Sequence, residues 1–199
     1  MTTKGSNSKA VGVLAIQGDF AEHIAVLRDL AVEAREVRLP PDLDQVQALI
    51  IPGGESTTIG RLMEFYGLRE VLVRRAHEGM PLWGTCAGLI LMAQRISENR
   101  PQPLGLLDID VVRNAYGRQV DSFEAEMVIP PVGAEPFRGV FIRAPIISRV
   151  GQGVEVLGCL ADGQAVAVRQ GNLLGTAFHP ELTPDVRFHR YFLSMLQGS

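Results

Sequence analysis

The sequence predicts a three-layer α/β fold, an open and mostly parallel sheet covered by helices on both faces. Two observations in the first half carry that expectation. Val11–Ile16 is a short continuous apolar run, as a strand buried on both faces requires, Ala48–Ile51 is another, and Ala34–Leu39 and Leu82–Thr85 resemble further strands. Between them lie segments with apolar residues at helical spacing, giving a β-α-β-β-α-β order. A third observation changes the picture in the second half. From about 107 to 178 strand-like runs follow one another with little helix, separated by Gly and Pro, so part of this half is expected to be antiparallel. With 199 residues and no Ser/Gly linker, the chain is expected to form one domain over 10–199, behind a flexible tail over 1–9.

Each element has a local reason. Asp19 stands where a helix cap is expected, and Phe20, Ile24, Leu27 and Ala31 give the first helix its apolar stripe. Pro40 and Pro41 stop the second strand. Helices are predicted over 57–65 and 68–78, and an apolar helix near 87–96 follows the fourth strand. Strand-like runs come next at Asp110–Arg113, Glu124–Ile129, Val140–Arg143, Val154–Leu160, Ala165–Arg169 and Leu173–Phe178. Thr183 followed by Pro184 reads as the start of the last helix, with Pro at its first position. Phe188, Phe192, Met195 and Leu196 form its apolar face.

Bulk properties exclude several function classes. The formal charge is −3 and Arg74–Arg75 is the only adjacent basic pair, so no nucleic-acid surface is expected. No stretch approaches the roughly 18 uninterrupted apolar residues of a membrane span. The N-terminus has no apolar segment behind its charge and does not read as a secretory signal. A cytoplasmic location with both cysteines reduced is therefore expected. No Cys or His pair has the close spacing of a zinc site, so no metal is expected.

The chemistry begins at Gly84-Thr-Cys86-Ala-Gly88, directly after a strand and before a helix. This is a nucleophile elbow with Cys in place of Ser. A sharp turn leaves room only for small flanking residues and lifts the thiol above the sheet edge. The helix behind it points its N-terminal amides at the site, an arrangement that favours thiolate, the attacking species. A small buried Cys among small residues is common; the two glycines and the strand–turn–helix context favour the elbow. Cys159 lies inside a strand-like run without that frame and reads as a buried structural cysteine.

A Cys nucleophile needs an imidazole, and the imidazole an orienting acceptor. His23 and His77 fall in predicted helices and His189 in the last one; all three read as solvated or partly packed surface. His179 differs, standing at the end of the run Leu173–Phe178 and followed by Pro180 and Glu181. In an extended chain residues i and i+2 project to one side, so Glu181 is placed to accept from one ring nitrogen of His179. Capping of the final helix is a second use open to Glu181. Pro52-Gly53-Gly54-Glu55-Ser56 follows a buried strand and precedes a helix. Backbone amides of the glycine pair, with that of Ala87, suit stabilisation of a tetrahedral oxyanion.

Taken together, the runs at 14–19, 52–58, 84–89, 117–124, 141–145 and 178–182 resemble the class I (triad) glutamine amidotransferases. Among these they are most similar to the glutaminase subunits of pyridoxal 5′-phosphate synthase, the PdxT family. The run 117–124 and the Gly53–Thr58 segment discriminate most. The resemblance spans about 11–196 and implies a flavodoxin-like sheet. It further implies Cys86 as nucleophile, His179 as base and Glu181 as its orienter. Gly54, Glu55 and Ser56 would line the glutamine site, Gly53 and Gly54 would lie near the oxyanion, and Arg113, Ile142 and Arg143 would contact substrate. No metal or organic cofactor is implied. The implied partner is a synthase subunit, in a large hetero-oligomer, that uses the ammonia and activates the glutaminase on docking. The segment Gln17–His23 is the expected contact. The nearest alternatives are a glutaminase of another pathway, such as histidine or cobalamin biosynthesis, and a Cys peptidase-like hydrolase.

Overall fold

The computed structural model describes residues 10–113 and 122–196. The expected tail over 1–9, and residues 117–121 of the discriminating run, lie outside the described residues.

Strand β1 (Val11–Leu14) is buried along its whole length, as its unbroken apolar run requires. It pairs in parallel with β2 (Ala34–Val37) on one side and β3 (Ala48–Ile51) on the other. β3 pairs in parallel with β4 (Leu82–Thr85), and β4 with β12 (Leu173–Thr176). Two antiparallel strands, β11 (Ala165–Gln170) and β10 (Glu155–Cys159), complete a seven-stranded sheet in the order β10-β11-β12-β4-β3-β1-β2.

Helix α1 (Phe20–Asp29) connects β1 to β2, whereas α2 (Ser56–Phe65) and α3 (Leu68–His77) connect β3 to β4. The two connections run in opposite directions across the sheet, and right-handed crossovers therefore place them on opposite faces. α4 (Ala87–Met92) packs with α2. α5 (Arg187–Met195) joins α1 on the other face, where His189 meets His23 at 3.0 Å. This is the expected three-layer, mostly parallel α/β architecture. One hydrophobic core runs from Ala10 to Leu196, with Trp83, Phe188 and Phe192 clustered beneath α5. Outside the large sheet, β5 (Ala93–Ile96), β6 (Leu107–Val112) and β9 (Ile146–Val150) form a second sheet, and β7 (Ser122–Ile129) pairs with β8 (Gly133–Ile142) as a hairpin. No helix among the described residues is long and apolar enough to cross a membrane.

Three expectations are corrected, and one strand is added to those expected. The helix expected to reach residue 96 stops at Met92, and Ala93–Ile96 is β5, paired in parallel with β6. Residues 87–93 are all buried, so the apolar run offers no periodicity from which to read the helix end. The last helix starts at Arg187 rather than at Pro184, because residues 180–182 form a 3-10 turn and the Asp185 carboxylate accepts from the Arg187 amide at 3.0 Å. β9 was not foreseen. Cys159 is exposed on the edge strand β10 rather than buried.

Candidate active site

β1, β3, β4 and β12 run in the same direction, so their carboxyl ends open at one edge of the sheet. That edge is where open α/β sheets bind ligands. The residues that follow these strands there are Gln17–Asp19, Gly53–Ser56, Cys86 and His179.

Cys86 joins β4 to α4 with φ 47° and ψ −100°, a left-handed conformation rare outside glycine. Such strain costs on the order of 1–3 kcal/mol and persists only where neighbours hold it. The Cys86 amide donates to the Thr176 carbonyl at 2.8 Å, tying the turn to β12. Both flanking glycines are required by contact. A Cβ on Gly88 would stand 2.0 Å from the Ile51 carbonyl oxygen, and one on Gly84 would stand 2.5 Å from the Gly88 backbone. The thiol is 6 % exposed, and Sγ lies 3.8 Å from the Ile142 carbonyl oxygen.

His179 is fixed by its own amide, which donates to the Val140 carbonyl at 2.8 Å. Its Nδ1 lies 2.7 Å from Glu181 Oε1 and 3.5 Å from Asp19 Oδ2. With Nδ1 engaged there, Nε2 is the nitrogen left for Cys86. Burial alone would lower the imidazole pKa. Hydrogen bonds and charges from Cys86 and Glu181 outweigh it and raise the pKa to about 10. Burial pushes the Glu181 carboxyl above its ordinary value, and the bond to His179 only partly offsets this. Asp19, His179 and Glu181 present ligand atoms within 4.8 Å of one another, the geometry of a possible metal site. At that cluster the His179 Nδ1 and Glu181 Oε1 are already engaged with each other at 2.7 Å.

A cavity of about 670 Å³ opens over Cys86, lined by Gly54, Glu55, Ser56, Ala87, Arg113, Ile142, Arg143 and His179 among others. Glu55 caps α2, accepting from the Thr57 and Thr58 amides at 2.9 and 2.7 Å. Partial burial raises its carboxyl pKa, but bonds from the Thr58 hydroxyl and these amides prevail and hold it at about 2. Arg113 donates to the Arg100 carbonyl at 2.5 Å and stands 3.1 Å from Glu98 and 3.8 Å from Glu55. Gln17 accepts from the Glu55 amide at 2.8 Å, and the Asp19 amide donates to the Gly53 carbonyl at 3.1 Å. The β1 loop thus braces the glycine pair. The brace is tight, since a Cβ on Gly18 would stand 1.8 Å from the Gly53 oxygen.

Every sequence-singled residue of the triad and of the proposed substrate site lies at this cavity or directly behind it. Gly53 stands behind the wall, against the His179 ring. Three residues were misread. Asp19 occupies the N-cap position of α1 but makes no side-chain cap bond, and its carboxylate faces His179 instead. His23 and His189, expected at the surface, are both fully buried. His23 therefore offers no surface for docking, which corrects that part of the Gln17–His23 expectation. The signal was in the helical spacing: His23 lies three residues after Phe20 and four before Leu27, and His189 sits between Phe188 and Phe192.

The model of the SNO glutamine amidotransferase family matches residues 13–198. The chain is 59 % identical over 188 residues to the pyridoxal 5′-phosphate synthase subunit PdxT of Herpetosiphon aurantiacus, covering 93 % of this chain and 99 % of that one. It is 52 % identical to the subunit of the same name from Thermotoga petrophila, covering 94 % and 99 %. A crystal structure described as a glutamine amidotransferase superposes with a TM-score of 0.89 at 52 % identity, covering 94 % of this chain and 98 % of that one. The chain belongs to the SNO glutamine amidotransferase family.

Proposed function

We propose that this chain hydrolyses L-glutamine to L-glutamate and ammonia, as the glutaminase subunit of a pyridoxal 5′-phosphate synthase. The observation that carries the reading is the strained Cys86 elbow, sharing one cavity with a His179 that is backed by the buried Glu181. The polar cavity above it, walled by Arg113, Arg143 and Glu55, suits a small zwitterionic amide. The names of the relatives, synthase subunits alike along nearly their whole length, support the pathway.

In this mechanism the Cys86 thiolate attacks the side-chain amide carbon of glutamine. The amides of Gly54 and Ala87 receive the developing oxyanion. The C–N bond breaks as His179 gives its proton to the leaving nitrogen, releasing ammonia and leaving a γ-glutamyl thioester on Cys86. A water then adds to the thioester, its proton passing to His179. The C–S bond breaks, and glutamate departs. Glu181 holds the imidazole ring in place throughout. Protein groups and water complete the chemistry without a metal or organic cofactor.

Residues 10–199 act as one amidotransferase domain, which the single continuous core supports. A cytoplasmic location keeps the thiol reduced. The synthase subunit docks around the cavity mouth in a hetero-oligomer and takes up ammonia sheltered from water. The test is release of ammonia and glutamate from glutamine, with and without the cognate synthase subunit. Cys86→Ala is expected to lower turnover by at least about a thousandfold. Full activity in that variant, or no stimulation by the synthase subunit, overturns the reading.

A further inference from the structure

Behind the triad the polar chain continues for two more residues. Glu181 has both carboxylate oxygens inside the protein. Oε1 accepts from His179, while Oε2 is buried without a hydrogen bond of good geometry. His23 on α1 places its Nε2 3.4 Å from Oε2 and 3.3 Å from the Thr85 hydroxyl. The other nitrogen of His23, Nδ1, lies 3.0 Å from Nε2 of His189 on α5. The last atom of the chain, His189 Nδ1, is buried without a partner. Trp83 packs edge-on against both histidine rings.

These distances select one arrangement of protons. Two neutral imidazoles 3.0 Å apart share one proton, so one donates and the other accepts. If His23 donated from Nδ1, its Nε2 lone pair would take its hydrogen bond from the Thr85 hydroxyl, and His23 would offer Glu181 Oε2 an acceptor instead of a donor. His189 would then carry an N–H on Nδ1 that nothing accepts. A buried donor without a partner is costly, and so are two acceptors facing each other. If His189 donates from Nε2, His23 accepts at Nδ1 and carries its own proton on Nε2, between the Thr85 hydroxyl at 3.3 Å and Glu181 Oε2 at 3.4 Å. The only unpartnered atom is then a bare lone pair on His189. Burial holds both rings in the neutral form that this arrangement needs, His189 at about 4 and His23 also well below its ordinary value.

We infer that His23 is a positioning residue for Glu181, donating from Nε2 to its second oxygen, and that His189 locks His23 in that tautomer. This rests on the glutaminase reading of Cys86, His179 and Glu181. A carboxylate held at one oxygen only is free to rotate about its last bond. Held at both, it presents Oε1 to His179 in a fixed direction through the cycle. The donor comes from the first helix and its lock from the last, so the packing of α1 against α5 sets the aim of the triad.

Two measurements test this on the full chain. Nitrogen NMR of histidine-labelled protein near pH 7, with signals assigned from single-residue variants, reads each tautomer directly. Both His23 and His189 are expected neutral and protonated at Nε2. A proton on Nδ1 of His23, or a charged His23, overturns the inference, and this readout does not depend on activity. Glutamine turnover with the synthase subunit present gives the second. His23→Phe keeps the ring volume and loses the donor. It is expected to lower kcat by about ten- to a hundredfold, the range for loss of an outer supporting partner. KM is expected to stay within about twofold, since no substrate contact is removed. His23→Gln carries an amide N–H to the position of Nε2 and is expected to recover most of the loss. A folded His23→Phe with unchanged kcat, or a His23→Gln as slow as His23→Phe, overturns it. Cys86→Ala sets the floor of the assay. A wild-type chain at that floor sinks the glutaminase reading, while the tautomer result still decides the geometry.

Discussion

His179 has Cys86 on one side and Glu181 on the other, and both raise its proton affinity against the cost of burial. Its proton is the one the mechanism gives to the leaving ammonia. With a pKa of about 10 it is in place through neutral pH and lost as pH rises through that value. Turnover on the alkaline side is therefore expected to fall near pH 10. Glu181→Gln removes one of the two charges holding the proton. Its alkaline limb is expected at lower pH and its kcat lower by about 10²–10⁴, as for loss of an orienting carboxylate. A pH–rate profile of the two proteins checks this, and an unmoved limb would count against the role of Glu181. Cys86, His179 and Glu181 were legible because each motif is local: a turn between two glycines, and two side chains spaced i and i+2. Asp19 and His23 were not, because their roles depend on contacts with residues about 160 positions away in the sequence. A histidine on a helix carries no mark of what packs over it.

At the scale of elements, the site is a set of strand ends joined to helix starts, and small residues mark each junction. Gly88, the second residue of α4, lies against the backbone of β3 rather than against a movable side chain. Gly88→Ala forces its Cβ toward the Ile51 carbonyl. It is expected to destabilise the chain by about 1–3 kcal/mol, the cost of overpacking, and to displace Cys86 enough to depress activity. Urea denaturation alongside the glutaminase assay measures both, and a fully stable, fully active variant would remove Gly88 from the account. Glu55 has a second, separable duty as the cap of α2. Glu55→Ala is expected to cost about 0.5–2 kcal/mol through the two freed amides, with a rise in KM if the carboxylate also meets substrate. Three parallel core strands of the first half, β1, β3 and β4, were legible because each is a short, mostly apolar run bounded by turn residues. The boundary between α4 and β5 was not, because all of 87–93 is buried and neither period shows through. The start of α5 was misplaced for a different reason: Thr183–Pro184 is a sound helix signal, overridden by the turn that carries Glu181 inward.

For the molecule as a whole, the His23–His189 contact ties the first helix to the last and closes one face over the sheet. Both rings are buried and neutral, with His189 lowered by burial from an ordinary value of 6.5 to about 4. In the unfolded chain each returns to the ordinary value. Between pH 6.5 and 4 the unfolded state therefore binds protons that the native state refuses. Stability must rise with pH across that window. The contribution of His189 is fully present above 6.5 and is lost as pH falls toward 4. Replacing His189 by Phe, which suits the cluster of Trp83, Phe188 and Phe192 around it, removes one of these protons. The slope of unfolding free energy against pH between 6.5 and 4 is then expected to be shallower in His189→Phe than in the wild type, whatever the variant does to stability at pH 7. Urea titrations at a series of pH values give both slopes, and equal slopes would mean that His189 takes up its proton in the native state. The same residue would then fail as the lock on His23, so the acid stability of the whole chain and the aim of Glu181 stand on one buried nitrogen pair.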